Sequence, residues 1–189
     1  MIYPESFYQR SALSVARDLL GSCLARRSGA GPAALWRIVE TEAYQGPLDL
    51  ASHASRGRTA RNAPMFGPPG RLYVYLVYGL HHMLNIVTGP SGWPAAVLIR
   101  ALEPVSKTDQ TSEKFPSGPA KLTKVLRVDR SDNNLPVFDA NGLMVIRSGA
   151  RRSGEKIMRA PRVGVDYAGP YKDKLWRYYL AGNPYVSKY

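Results

Sequence analysis

The stretch "VETEAY", residues 39 to 44, sets two carboxylates and a phenol at alternate positions. Read as a strand over residues 35 to 44, it places Trp36, Ile38, Glu40, Glu42 and Tyr44 on one face. Leu35, Arg37, Val39, Thr41 and Ala43 take the other face. Glu40 and Glu42 then stand about 7 Å apart, at a rise of about 3.4 Å per residue. A carboxylate at the mouth of an aromatic pocket can take a proton from water and act as a general base. For these six residues alone, strand-end charges facing solvent or arginines are the commoner arrangement.

The second group of candidates lies in "RLYVYLVYGLHHMLN", residues 71 to 85. As a hairpin turning at Gly79, it alternates Tyr73, Tyr75 and Val77 against Leu72, Val74 and Leu76. Tyr75 can reach a pocket, Tyr73 is accounted for by sheet packing, and Tyr78 projects at the bend. His53 and Asn85 add donors and acceptors. The histidines lack a metal-ligand spacing with carboxylate partners, so no metal is expected. There is no P-loop, GxGxxG, GxSxG or Cys-His pair, and the chemistry reads as cofactor-free.

Charge narrows the partner. The 189 residues carry a formal net charge of +12, with 44% hydrophobic and 21% charged residues. Between Asp49 and Glu103 there is no carboxylate, while Arg56, Arg58, Arg61, Arg71, Arg100, His53, His81 and His82 all fall there. Such a segment can lie along phosphates without repelling them. An exposed Tyr-Gly-Leu-His tip on a basic surface suits a wedge entering a DNA base stack, with pocket aromatics stacking an extruded base. A nucleic-acid-binding module without catalysis fits charge and aromatics equally well. Against it stands a carboxylate on the same strand face as Tyr44. Hydrolysis of free nucleosides fits the charge poorly.

The elements that must hold these groups are also legible. Ser11 caps a helix through Leu13, Ala16, Leu19 and Leu20 that stops at Gly21. "GSCLA" reads as a strand, "RRSGAGPA" as a loop, and residues 45 to 70 as a long functional loop. "AAVLIRAL" reads as a central strand, "SGPAKLTKVLRV" as a helix with Pro119 in its first turn, and "GLMVIR" and "RVGVDYAG" as further strands. The aromatic tail packs back on the core. The expectation is one compact α+β domain, residues 1–189, around a curved, mostly antiparallel sheet with a protruding β-hairpin. No membrane span or signal peptide is expected. The single Cys23 excludes an internal disulfide; a reducing cytoplasm is the expected compartment, nucleoid-associated if the source is bacterial.

These residues match a family. "RIVETEAYQGPLDLASHASRGRTARNAPMFGPPGRLYVYLVYGLHHMLNIV" with "VLIRALEP", "GPAKLTKVLRVDRSDN", "RVGVDYAG" and "WRYYLAGNPYVS" closely resembles the alkyladenine (3-methyladenine) DNA glycosylases. The resemblance covers nearly the whole chain. It implies a monofunctional enzyme that flips alkylated or deaminated purines out of duplex DNA. The implied lesions are 3-methyladenine, 7-methylguanine, hypoxanthine and 1,N6-ethenoadenine, and the product is an abasic site. Glu42 would activate the attacking water, and Arg100 would hold the water, Glu42 or the local phosphate. Tyr44 and Tyr75 would sandwich the base, with His53 closing the pocket, Ala51 offering backbone groups to the base edge and Asn85 forming the floor. Tyr78 would intercalate, with Leu80, His81, Arg56, Arg58 and Arg61 against DNA. The connection "TGPSGWPAAV" and the tip residues Leu80 and His81 depart from the family pattern. The pocket motifs contain no lysine, so strand cleavage through a Schiff base is not expected. The implied partner is damaged duplex DNA, met as a monomer with no obligate protein partner.

Overall fold

The computed structural model describes residues 1–26, 33–105, 117–139, 142–147, 152 and 154–187. The expected loop at 26–33 lies almost wholly outside them. Helix α1 (Glu5–Tyr8) leads into α2 (Ala12–Leu19), where the Ser11 hydroxyl accepts the Ser14 N–H at 3.2 Å. This is the expected N-cap, and it satisfies one of the orphan donors of the first turn. Ala12, Val15, Ala16 and Leu19 form the buried face of α2. That face meets the sheet, and the Thr41 hydroxyl donates to the Ala16 carbonyl at 2.8 Å.

The sheet has eight described strands: β1 (Cys23–Arg26), β2 (Ala34–Gln45), β3 (Leu72–Val77), β4 (His81–Val87), β5 (Ala95–Pro104), β6 (Leu143–Ile146), β7 (Ile157–Ala160) and β8 (Arg177–Leu180). Every pairing is antiparallel, in the order β3-β4-β5-β2-β1-β6, with β8 joining β2 and β7 joining β8. The sheet is curled around one main core, giving a single compact α+β domain, as the sequence implied. Strand β5 is buried along its whole length, which explains its near-continuous apolar run. Helix α3 (Pro119–Val125) has Pro119 at its first turn and packs on β4 and β5. No described helix is long and apolar enough to cross a membrane.

Strand β2 positions the site. One edge pairs with β5; the other pairs with β1 over residues 34 to 37 and with β8 over residues 40 to 42. Its alternation is not the uninterrupted one expected from Trp36 to Tyr44. Ile38 and the adjacent Val39 both enter the main core. The cause is a double irregularity: Val39 is unmatched on β2 and Arg100 is unmatched on β5, so the register shifts and returns. A bulge re-aims side chains locally. Here it faces Arg100 toward Glu40 and Glu42.

"RVGVDYAG" is not a strand. A 3-10 turn runs over Asp166–Tyr171 with Val165 before it, and Gly164 has φ 71. The Val163 N–H is taken by a side chain rather than a neighbouring strand. The strands in this part of the chain are β7 and the tail segment β8, where Tyr178 and Leu180 are buried. The tail thus packs back as expected.

Candidate active site

A cleft of about 750 Å³ opens between β3, β4 and β5 on one side and the 49–53 and 163–167 segments on the other. That size falls within the roughly 300–1,000 Å³ of small-molecule sites. Its aromatic wall is a cluster. The His53 ring lies edge-on to Tyr75 with centroids 4.5 Å apart, and Tyr73 and Tyr75 lie 5.1 Å apart. His53 Nδ1 and the Tyr73 hydroxyl are 2.9 Å apart. Burial against these rings, and then the Arg61 charge, lowers the His53 pKa, so the imidazole is neutral at pH 7. Burial also pushes the Tyr73 phenol up to about 12 and the Tyr75 phenol higher still. Asn85 lies on the floor, donating to the Tyr73 carbonyl at 3.1 Å.

Glu42 lies directly behind Tyr44, Arg100 and Val163 of this lining and is fully buried. Its Oε1 accepts the Val163 N–H at 2.8 Å and meets Arg100 Nη1 at 3.2 Å. Its Oε2 accepts the Tyr44 hydroxyl at 2.9 Å. A carboxylate oxygen can accept two hydrogen bonds. Among the described residues Oε2 has this one donor, so it retains capacity for a second. Burial raises the Glu42 pKa even though Arg100, the Val163 N–H and the Tyr44 hydroxyl pull it down. Glu40, also fully buried, bonds Arg100 Nε and Arg177 Nη1, both at 3.1 Å. Two carboxylates therefore meet two guanidiniums, and the buried charge is balanced. Both glutamates enter one network behind the cleft: Glu42 contacts Tyr44, Arg100 and Val163 of its lining, and Glu40 contacts Arg100.

Asp49 and Asn62 shape the long loop over residues 46 to 70. Asp49 accepts the N–H groups of Gln45 and Ala51, each at 3.1 Å. It also takes a bidentate pair from Arg162, at 2.6 and 2.8 Å. The Arg162 guanidinium stacks between Tyr44 and Trp176, 4.8 and 4.9 Å from their centroids. Asn62 donates to the carbonyls of His53 and Gly57, both at 2.9 Å, and so fixes the 3-10 turn that carries His53. Gly46 is required where it stands. At φ +75 a Cβ there would lie 2.4 Å from the Trp93 ring.

At the outer end, Tyr78 and Gly79 have φ 52 and 68, and the Leu80 N–H donates back to Val77 at 3.1 Å. Tyr78 is 91% exposed and Leu80 73%. Arg61 donates to the Leu76 carbonyl at 2.8 Å and lies 5.3 Å from the Tyr75 centroid, at the rim of the cleft.

The arrangement places a buried, charge-balanced carboxylate behind an aromatic cleft with a projecting aromatic tip. Residues 6–184 match the family model for methylpurine-DNA glycosylases. The chain belongs to that family. It is accordingly a DNA glycosylase, a hydrolase of N-glycosyl bonds. Relatives that bear the name 3-methyladenine DNA glycosylase match along the full length. One from Methanocella arvoryzae is 47% identical, over 99% of this chain and 96% of its own. One from Anaeromyxobacter dehalogenans is 46% identical, over 100% and 87%, and one from Nitrosococcus oceani 43%, over 98% and 93%.

Within this glycosylase the residues singled out in the sequence are brought to one cleft: Tyr44, Ala51, His53, Tyr75, Tyr78, Asn85, Arg100 and Arg61 all line it. Arg56 borders a smaller adjoining hollow with His53, Leu50 and Tyr167, and Arg58 lies 5.7 Å over Phe66. His81 opens β4 beside the tip. One expectation changes. Tyr73 does more than pack in the sheet, since it lines the cleft and holds His53. The Ala51 N–H is taken by Asp49, and its carbonyl, bonded by the Tyr167 hydroxyl at 3.3 Å, keeps a second lone pair toward the cleft edge. The sequence reading missed Asp49, Asn62, Arg162, Val163 and Tyr167. Asp49, the last acid before the carboxylate-free stretch, was the one available signal for the first of these.

Proposed function

We propose that residues 1–189 form one monofunctional glycosylase domain that flips an alkylated purine out of duplex DNA and hydrolyses its N-glycosidic bond. The observation that carries this reading is Glu42: a buried carboxylate, balanced by Arg100, with unused acceptor capacity beside an aromatic cleft. The extruded base lies between Tyr44 and the Tyr75–His53 wall, over Asn85. Glu42 Oε2 takes a proton from water as that water attacks C1′, and its charge stabilises the oxocarbenium-like state. Tyr78 fills the gap left in the stack, with Leu80 and His81 beside it and Arg56, Arg58 and Arg61 along the phosphates.

Substrate preference follows from charge. A purine methylated at N3 or N7 is cationic, stacks well on the negative faces of tyrosines, and leaves without needing a proton. His53 is neutral at pH 7 and is a poor donor for neutral bases. 3-Methyladenine and 7-methylguanine therefore rank above hypoxanthine and 1,N6-ethenoadenine. Single-turnover base release from duplexes carrying each lesion tests the ranking. Release by the wild type and none by Glu42→Gln, with salt-sensitive lesion binding intact, is the expected result. Equal release by Glu42→Gln removes the base assignment.

A further inference from the structure

The tail of the chain reaches the back of the site. Ser187 donates its backbone N–H to Oε2 of Glu40 at 2.8 Å, and its hydroxyl donates to the same oxygen. The other oxygen of Glu40 accepts Arg100 Nε and Arg177 Nη1, each at 3.1 Å. Four donors, two on each oxygen, fill the acceptor capacity of a carboxylate. Arg100 is thereby shared. Its Nε is held by Glu40 while its Nη1 lies 3.2 Å from Glu42.

We infer that Glu40 and Ser187 are positioning residues for the reaction. Ser187 clamps Glu40, Glu40 fixes Arg100, and Arg100 orients and partly neutralises Glu42. The inference rests on the reading of Glu42 as the base. Sharing one guanidinium makes the two glutamates competitors. Each donor that Ser187 supplies to Glu40 reduces the pull of Glu40 on Arg100 and leaves more of it for Glu42. A network with a purely structural purpose has no need of this division, since buried ion pairs add little stability over well-packed apolar groups.

The groups facing Glu42 define how its protonation responds. Glu40 and Tyr44 come from β2, Arg100 from β5, Arg177 from β8 as its register partner, and Tyr75 from β3. The Val163 N–H completes the set, and Arg162 lies behind Tyr44. Glu40 repels the charged form of Glu42 and Arg100 favours it. Removing the Glu40 charge frees Arg100 for Glu42 and makes Glu42 easier to ionise. Removing the Ser187 hydroxyl does the reverse, because Glu40 then draws Arg100 harder.

The test is the pH profile of single-turnover base release from a 7-methylguanine duplex. The variants are Ser187→Ala, Ser187→Thr and Glu40→Gln, with Glu42→Gln as the control. Ser187→Ala is expected to move the acid limb to higher pH and to slow release about tenfold at mildly acid pH, as for loss of a hydrogen bond to a charged group. Ser187→Thr restores the wild-type limb, and Glu40→Gln moves it to lower pH. A merely structural role lowers the rate without moving the limb, and that outcome overturns the proposal, as do profiles that superimpose on the wild type. Should Glu40→Gln fail to fold, the Ser187 pair carries the test alone. Retained release by Glu42→Gln is a different failure: it removes the base itself, and the control arm reports it separately.

Discussion

At the inner end of the cleft, Glu42 is fully buried and held by three elements: β2 through Tyr44, β5 through Arg100 and the 163 segment through a backbone N–H. At the outer end, Tyr78 is 91% exposed and is placed by its backbone alone, at φ 52. The difference separates two kinds of preorganisation. On the proposed mechanism Glu42 does the chemistry and must be held closely in place, and its partners over-determine it. The projecting group must only be present and turned outward, and a strained turn is enough for that. Changes at the inner end should therefore stop chemistry or unfold the protein. Changes at the tip should leave both the fold and the carboxylate intact.

The largest expected effect comes from Glu42→Gln, which keeps size and most hydrogen bonding but cannot take a proton. Loss of a general base lowers rates by about 10²–10⁴-fold. Single-turnover release should fall by that much, with lesion binding unchanged. A smaller fall would show that the carboxylate is a bystander. The pH dependence sharpens the same point. On the proposed mechanism the carboxylate form is the active one, and burial raises its pKa. Release should therefore fall, as pH drops, at a pH above the ordinary glutamate range of about 4.3. The raised value also means that the charged form opposes folding at neutral pH, and this opposition is relieved as pH falls through the folded-state pKa. An acid limb at or below the ordinary range would break the account of the inner end.

Next in size is Arg162→Met. It leaves Asp49 buried without its bidentate partner and takes away the stacked support of Tyr44. Breaking one side of a buried pair costs about 3–5 kcal/mol. Thermal unfolding should show a loss of that order, and Asp49→Asn with Arg162→Met should be less harmful than the sum of the two. Additive losses would mean that the two residues act independently.

The same contrast explains what the sequence revealed. The hairpin and tip announce themselves because local rules produce them: alternating aromatics, then a glycine at the turn. Strand β2 and the central β5 were legible for the same reason, as were Glu42 and Tyr44 at alternate positions. The inner network was not, because its partners are distant in sequence. Arg162 lies 113 residues from Asp49, and Ser187 lies 147 from Glu40. Val163 and Val165 look like strand residues by alternation. Yet the Val163 N–H is committed to Glu42 and Gly164 turns the chain at φ 71, so a side-chain tether overrides β-propensity. Val39 and Arg100, one unmatched on each strand, also defeated simple alternation, since periodicity carries no record of which residue a ladder skips.

Among the smaller effects, Tyr78→Ala should slow single-turnover excision by roughly tenfold or more, from the 1–3 kcal/mol that an aromatic contributes by stacking on a base. Its unfolding temperature should stay close to the wild type, because almost nothing packs on the ring. Unchanged excision would remove the wedge.

Tyr78→Gly gives the finest test, because its two effects have opposite sign. A non-glycine residue held at φ 52 pays a local backbone cost that glycine avoids. That cost is of order 1–3 kcal/mol, against roughly 0.5–1 kcal/mol of extra unfolded-state entropy for glycine. The variant should be more stable by about 1 kcal/mol while excising as slowly as Tyr78→Ala. Stability from denaturant titration and excision from a single-turnover assay check the two signs together. A protein that loses both would show that Tyr78 packs into the fold, and the contrast between the two ends of the cleft would fail. One that gains stability and loses rate would show a residue kept in strain for the sake of the DNA.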